Sequence, residues 1–136
     1  MSTIFEQIIA GDIPANKIYE DGQTFAFLDA NPVNPGHTLV IPKEPYKNIE
    51  TVPEDLLTAV MQTVKFLAPQ IQTAVKADGF NIHENNGTVA GQVVPHLHFH
   101  IIPRFEGDDF EHWHGAEDYH DGKAGEEIAA RISRSL

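Results

Sequence analysis

Between Pro95 and Arg104 the chain alternates in strict order: His96, His98 and His100 take every second position, with Leu97, Phe99 and Ile101 between or after them. Side chains of a β-strand point to opposite faces in turn. A strand over Pro95–Pro103 therefore carries the imidazoles on one face and the apolar side chains on the other, the latter packed under a helix. Polar groups beside a core need partners, so stability alone is a poor reason for such a face. Three readings compete. The face is solvated and idle, or it holds a metal as a three-histidine hydrolase centre does, or it performs metal-free phosphoryl transfer with imidazole as nucleophile and proton carrier. Spacing alone leaves them open.

The rest of the pattern supplies a setting. Ile4, Phe5, Ile8 and Ile9 before Gly11 mark a short amphipathic helix. Lys17–Glu20 and Thr24–Leu28 flank Asp21-Gly22, a hairpin signal. Asn31-Pro32-Val33-Asn34-Pro35-Gly36 reads as a loop before a strand over His37–Pro42. Thr51 and Glu54 are spaced as a capping box for a long helix. Its apolar stripe is Leu56, Val60, Val64, Leu67, Ile71 and Ala74, with a kink or break at Pro69 and a stop at Gly79. Phe80–Asn85 reads as a strand, 86–93 as a loop, 104–122 as irregular, and Glu126–Ile132 as a last helix. Hairpins with segregated helices give an α+β fold, mainly an antiparallel sheet with one long helix and short terminal helices.

Length and charge narrow the partners. A chain of 136 residues suits one domain. It has no cysteine, which removes disulfides, thiolate zinc sites and cysteine nucleophiles. The net charge of −11 disfavours polynucleotide binding but leaves small anions open to a local cluster of donors. The N-terminal residues do not read as a signal peptide, and no apolar run suggests a membrane span. A cytoplasmic location is the expectation.

The run His96-Leu97-His98-Phe99-His100-Ile101-Ile102 resembles the signature of the histidine-triad (HIT) family, with its bacterial phosphoramidase-like branch. Thr3–Ile9 with Ile13-Pro14-Ala15, Phe25–Asp29, Gly36–Lys43 and Gly91-Gln92 are similar to family segments in the same order. The resemblance spans about 3–104, within a single domain over 1–136 whose residues 105–136 form a C-terminal extension. It implies a homodimer acting on purine nucleotides without a metal or other cofactor. The activity implied is hydrolysis at the α-phosphate of nucleoside phosphoramidates or related conjugates. By this resemblance His98 is the nucleophile, forming a nucleotidyl-imidazole, and His96 and His100 contact phosphate and leaving group. His37 is a fourth histidine near them, and Asn85, eleven residues before His96, is an active-site amide. Asp29 binds the ribose hydroxyls, while Phe5, Ile8, Phe27 and Leu39 line the base pocket. Backbone amides of Gly91, Gln92 and Val93 are placed to hold phosphate oxygens.

Two departures matter. Val93 stands where the phosphoramidase branch commonly has serine or threonine, so a hydroxyl donor to the leaving group is missing. Thr3, Glu6 and Pro45 occupy positions where some bacterial members bind a structural zinc, so none is expected. His112, Trp113 and His114, with His120 nearby, are candidates to influence substrate choice. A dinucleoside polyphosphate hydrolase and a nucleotide-binding module with little turnover are the alternatives, besides a zinc hydrolase.

Overall fold

The fold is described from a computed structural model covering residues 2–111, 115, 119 and 122–136. The His112-Trp113-His114 segment and His120 lie outside the described residues. The elements are α1 (Ile4–Ala10), β1 (Lys17–Glu20), β2 (Thr24–Leu28), β3 (Thr38–Pro42), α2 (Glu54–Val75), β4 (Gly79–Glu84), β5 (Phe99–Arg104) and α3 (Gly122–Arg134). The strands form one antiparallel sheet in the order β1-β2-β3-β5-β4. The fold is α+β, as the hairpin and helix pattern indicates. No helix among the described residues is long and apolar enough to cross a membrane.

Alternation sorts the sheet into two faces. Ala26, Val40, Leu97, Phe99 and Ile101 join Leu56, Val60, Val64, Leu67 and Ile71 of α2 in one buried cluster. Phe25, Phe27, Leu39 and Ile41 point the other way and bury Phe5 of α1. The histidine run belongs to this second side. Leu39 lies directly across from His100, and His83 of β4 lies across from His100 on its other flank.

Five local expectations change. The strand of the histidine run starts at Phe99 rather than Pro95. Leu97 N–H leaves the ladder and donates to the Tyr46 carbonyl at 2.7 Å, so residues 95–98 follow the β3–α2 connection instead of the sheet. The long helix is not capped by Thr51. Its N-cap is Pro53, because the Thr51 hydroxyl is spent on Asn48, accepting from its N–H and donating to its carbonyl. The capping box is found instead on α1, where Thr3 and Glu6 exchange bonds of 3.2 and 3.0 Å. The helix runs unbroken through Pro69, which sits on its exposed side, where losing one backbone bond costs least. It ends at Val75 with Lys76 in the left-handed conformation, and Gly79 opens β4 rather than stopping the helix. Ala74, expected in the buried stripe, is exposed near that end.

Candidate functional site

His98 is buried, with its Nδ1 2.8 Å from the carbonyl of His96. A carbonyl only accepts, so Nδ1 carries the hydrogen and Nε2 keeps its lone pair. This bond also occupies a carbonyl that a regular ladder would have used. The Phe5 ring stands edge-on to His98 at 5.1 Å and to Phe27 at 5.5 Å. An apolar wall of Phe5, Phe27 and Leu39, with Ile8 against it, thus adjoins the imidazole. Phe25, Ile41 and Val94 belong to the same wall. Sequence reasoning did not single them out, although the Phe25-Ala26-Phe27 alternation already placed Phe25 on the Phe27 face.

His96 is fully buried and saturated within the protein. Its Nε2–H donates to the Pro42 carbonyl at 2.8 Å, which makes Nδ1 the acceptor for the Thr3 hydroxyl at 3.3 Å. Both ring nitrogens are therefore used to fasten β3 and α1 to the run. In this geometry His96 braces the run. Thr3 is a residue that sequence reasoning missed in this role, since no spacing connects positions 93 residues apart.

His37, from the residue before β3, faces the third histidine. The Val33 N–H donates to His37 Nδ1 at 3.0 Å, so in the neutral ring Nε2 carries the hydrogen. That nitrogen lies 2.9 Å from His100 Nδ1 and 3.5 Å from Asp29 Oδ2. His100 Nδ1 is then the acceptor, leaving the hydrogen on His100 Nε2. Asp29 also accepts from the Asn31 N–H at 2.9 Å and is only partly buried.

These assignments bear on metal binding. Among the described residues, the donor cluster close enough to share an ion is Asp29, His37 and His100, not the three histidines of the run. His37 would have to surrender the Val33 bond to offer Nε2 to a cation, and His96 has no nitrogen to spare. The residues present do not fit a three-histidine metal centre.

Asn85 follows β4 by one residue and lies beside Gly91, where an added Cβ would meet its amide nitrogen at 3.5 Å. The 86–93 loop contains a short 3-10 turn that uses two backbone amides of the Gly91-Gln92-Val93 stretch. Gly91 N–H donates to Thr88 and Gln92 N–H to Gly87, because the turn needs both donors to close. The Gln92 side chain accepts from Gly87 N–H and donates to the carbonyls of Lys47 and Val94. Gly91 and Gln92 therefore shape the loop, while the Val93 side chain is 89% exposed at its edge.

Burial sets the protonation of the cluster. It pushes His96 and His37 below the ordinary histidine value of 6.5, with the neighbouring His98 and His83 respectively adding to the effect. Burial, followed by the charges of His98 and His37, pushes His100 down to about 4. Unfolded histidines accept protons near 6.5 while these folded ones resist, so protonation favours the unfolded chain. Their stabilisation is complete above that pH and is lost as pH falls toward about 4. The melting temperature is expected to drop on the order of 5 °C between about pH 7.5 and pH 5, above the range where ordinary carboxylates titrate. A flat melting profile over that window would refute neutral burial of these rings.

A HIT domain model matches residues 10–107. An uncharacterized HIT-like protein of Methanocaldococcus jannaschii is 51% identical over 105 residues, 77% of this chain and 81% of that protein. An adenosine 5'-monophosphoramidase of Candida albicans is 38% identical over 107 residues, 76% of this chain and 70% of that one. The crystal structure of a HIT-family member from Bacillus subtilis superposes with a TM-score of 0.90 at 40% identity, covering 100% of this chain and 98% of the other. The chain belongs to the HIT family, and its fold is the one those structures share.

Proposed function

We propose that this protein hydrolyses purine nucleotide conjugates at the α-phosphate, with phosphoramidates as the leading class, through a nucleotide transiently bonded to His98. The observation that carries the reading is the His98 tautomer. Its Nδ1 is tied to the His96 carbonyl, so Nε2 offers a lone pair beside an apolar wall suited to a planar base. The phosphoramidase activity named for the Candida albicans relative supports the substrate class.

In the first step His98 Nε2 bonds to phosphorus while the bond from phosphorus to the leaving nitrogen breaks. The departing amine leaves with that electron pair and a proton from the site, and the water that attacks in the second step returns one proton to the site. In the second step water attacks the same phosphorus, the bond to His98 breaks, and the nucleoside monophosphate departs. Phosphoryl transfer asks mainly for positioning and charge stabilisation. His100 Nε2–H is the donor proposed for phosphate or leaving group, with His37 fixing its orientation and His96 bracing the run. Asp29 takes the ribose hydroxyls, and Phe5, Ile8, Phe27 and Leu39 enclose the base. Asn85 and the loop of Gly91, Gln92 and Val93 border the phosphates. The single-domain reading over 1–136 and a cytoplasmic setting belong to the same proposal.

The decisive assay is turnover of adenosine 5'-phosphoramidate by untagged protein, with and without chelator. Turnover unaffected by chelator supports the reading. Binding of nucleoside monophosphate with no turnover of any conjugate would replace it with a binding module.

The acting form in this proposal is a homodimer joined along β4. That strand ends the sheet among the described residues, and an edge strand with exposed apolar side chains invites pairing. Phe80 and Ile82 on β4 share an apolar concavity with Met61, Ala68 and Pro69 of α2. Sedimentation should give two chains for the wild type and one for Ile82→Asp, whose side chain is already partly exposed. A monomeric wild type would end the dimer reading.

A further inference from the structure

The tautomer of His37 is set by the Val33 N–H, so whatever fixes the 31–36 loop also fixes the hydrogen that His37 presents to His100. The loop grips His37 twice, since His37 N–H also donates to the Asn34 carbonyl at 3.1 Å. Its own anchor is the Asn34 side chain. The Asn34 amide group donates to the Pro103 carbonyl and to Asp108 Oδ2, each at 2.9 Å. Asp108 is gripped in turn by Arg104, with Nε to Oδ2 at 2.9 Å and Nη2 to Oδ1 at 2.8 Å. Arg104 Nη1 donates to Asn81 of β4 at 2.7 Å, and its Nη2 to the Phe110 carbonyl. Phe105 and Phe110 N–H groups close on the same carboxylate. Gly36 completes the clamp. At φ +90° it presses between Val75 and Pro103, where a Cβ would come within 3.0 Å of Val75.

We propose that Asn34, Asp108 and Arg104 are positioning residues that set the tautomer of His37 and, through it, which nitrogen of His100 donates toward the substrate. This rests on the hydrolase reading above for its consequence in catalysis, but not for the tautomer itself. A bidentate guanidinium–carboxylate pair fixes direction as well as distance. The pair stands at the exit of β5, the strand that carries His100. One rigid unit thus holds both the loop behind His37 and the strand beneath His100. Without the Asn34 bonds, the loop and its Val33 N–H lose their fixed position, and the His37 ring is free to exchange its hydrogen between nitrogens.

The test is the ring ¹⁵N spectrum of the histidines in wild type, Asn34→Ala and Asp108→Asn, read beside steady-state kinetics. Wild-type His37 is expected as the Nε2–H form alone. Asn34→Ala should populate both forms, and kcat should fall about 10-fold with KM nearly unchanged, a typical loss for misplaced proton donors. Asp108→Asn keeps size and shape but loses the charge, and should shift His37 in the same direction by less. His96, held by Thr3 and Pro42, should keep its spectrum in both variants, which separates this role from general loosening of the fold. If Asn34→Ala does not fold, Asp108→Asn answers the same question. Wild-type His37 and His100 spectra in the folded variants would overturn the proposal. If the wild type turns over no conjugate, the hydrolase reading fails, and the spectra still decide the tautomer.

Discussion

His98→Ala is expected to lower kcat for a nucleoside phosphoramidate by about 10⁴-fold, while nucleoside monophosphate binding changes by less than about 3-fold. The asymmetry follows from what His98 touches. Its hydrogen bond runs to the carbonyl of His96, two residues away, so deleting the ring breaks no hydrogen bond to another element. The wall of Phe5, Phe27, Leu39 and Ile8, the base site of the proposal, is built by α1, β2 and β3 and stays in place. What disappears is the nitrogen whose lone pair was left available. Rapid quenching should add the mass of one nucleotidyl group (a nucleoside monophosphate less one water) to wild-type protein and none to the variant. Retention of turnover within about 10-fold would sink the covalent route.

Leu97→Ala, one position away, should act on stability instead. Leu97 is fully buried and packs with Val40, Val60 and Val64 between the sheet and α2. Truncating such a side chain removes transfer free energy and leaves a cavity, costing about 3 kcal/mol, a large share of a typical domain's 5–15 kcal/mol. In a chain of this size that corresponds to roughly a 10 °C drop in melting temperature. Below that transition, kcat per folded molecule should fall far less than in His98→Ala. A stability loss under about 1 kcal/mol would mean that the site collapses around the gap, or that Leu97 is not central to the core.

The contrast between these neighbours was legible in the sequence. Alternation assigned Leu97, Phe99 and Ile101 to the face under α2 and His96, His98 and His100 to the other. The assignment survives although only His100 of the three histidines lies in the regular strand and 94–96 bend before it: Leu97 still packs under α2 with Phe99, while His96 and His98 still face Phe5. The Asp21-Gly22 hairpin, the Gly11 helix end and most of the α2 stripe were equally local and equally readable. The α2 start was not. Thr51 and Glu54 had capping-box spacing, but Asn48 took the threonine hydroxyl first. Side chains that bond readily to nearby backbone have several local uses, and spacing does not choose among them.

What the sequence determined by itself is therefore the set of side chains on each face and the family they mark. The tertiary structure decided what each imidazole does. His96, His98 and His100 are chemically identical and evenly spaced, yet one has both nitrogens tied to Thr3 and Pro42. Another is turned by the His96 carbonyl to leave Nε2 with its lone pair, and the third takes its tautomer from His37. A tautomer is fixed by whichever donor or acceptor packing brings within about 3 Å. Several of those partners, such as Thr3 for His96 and Asp108 for Asn34, come from parts of the chain that only folding brings together.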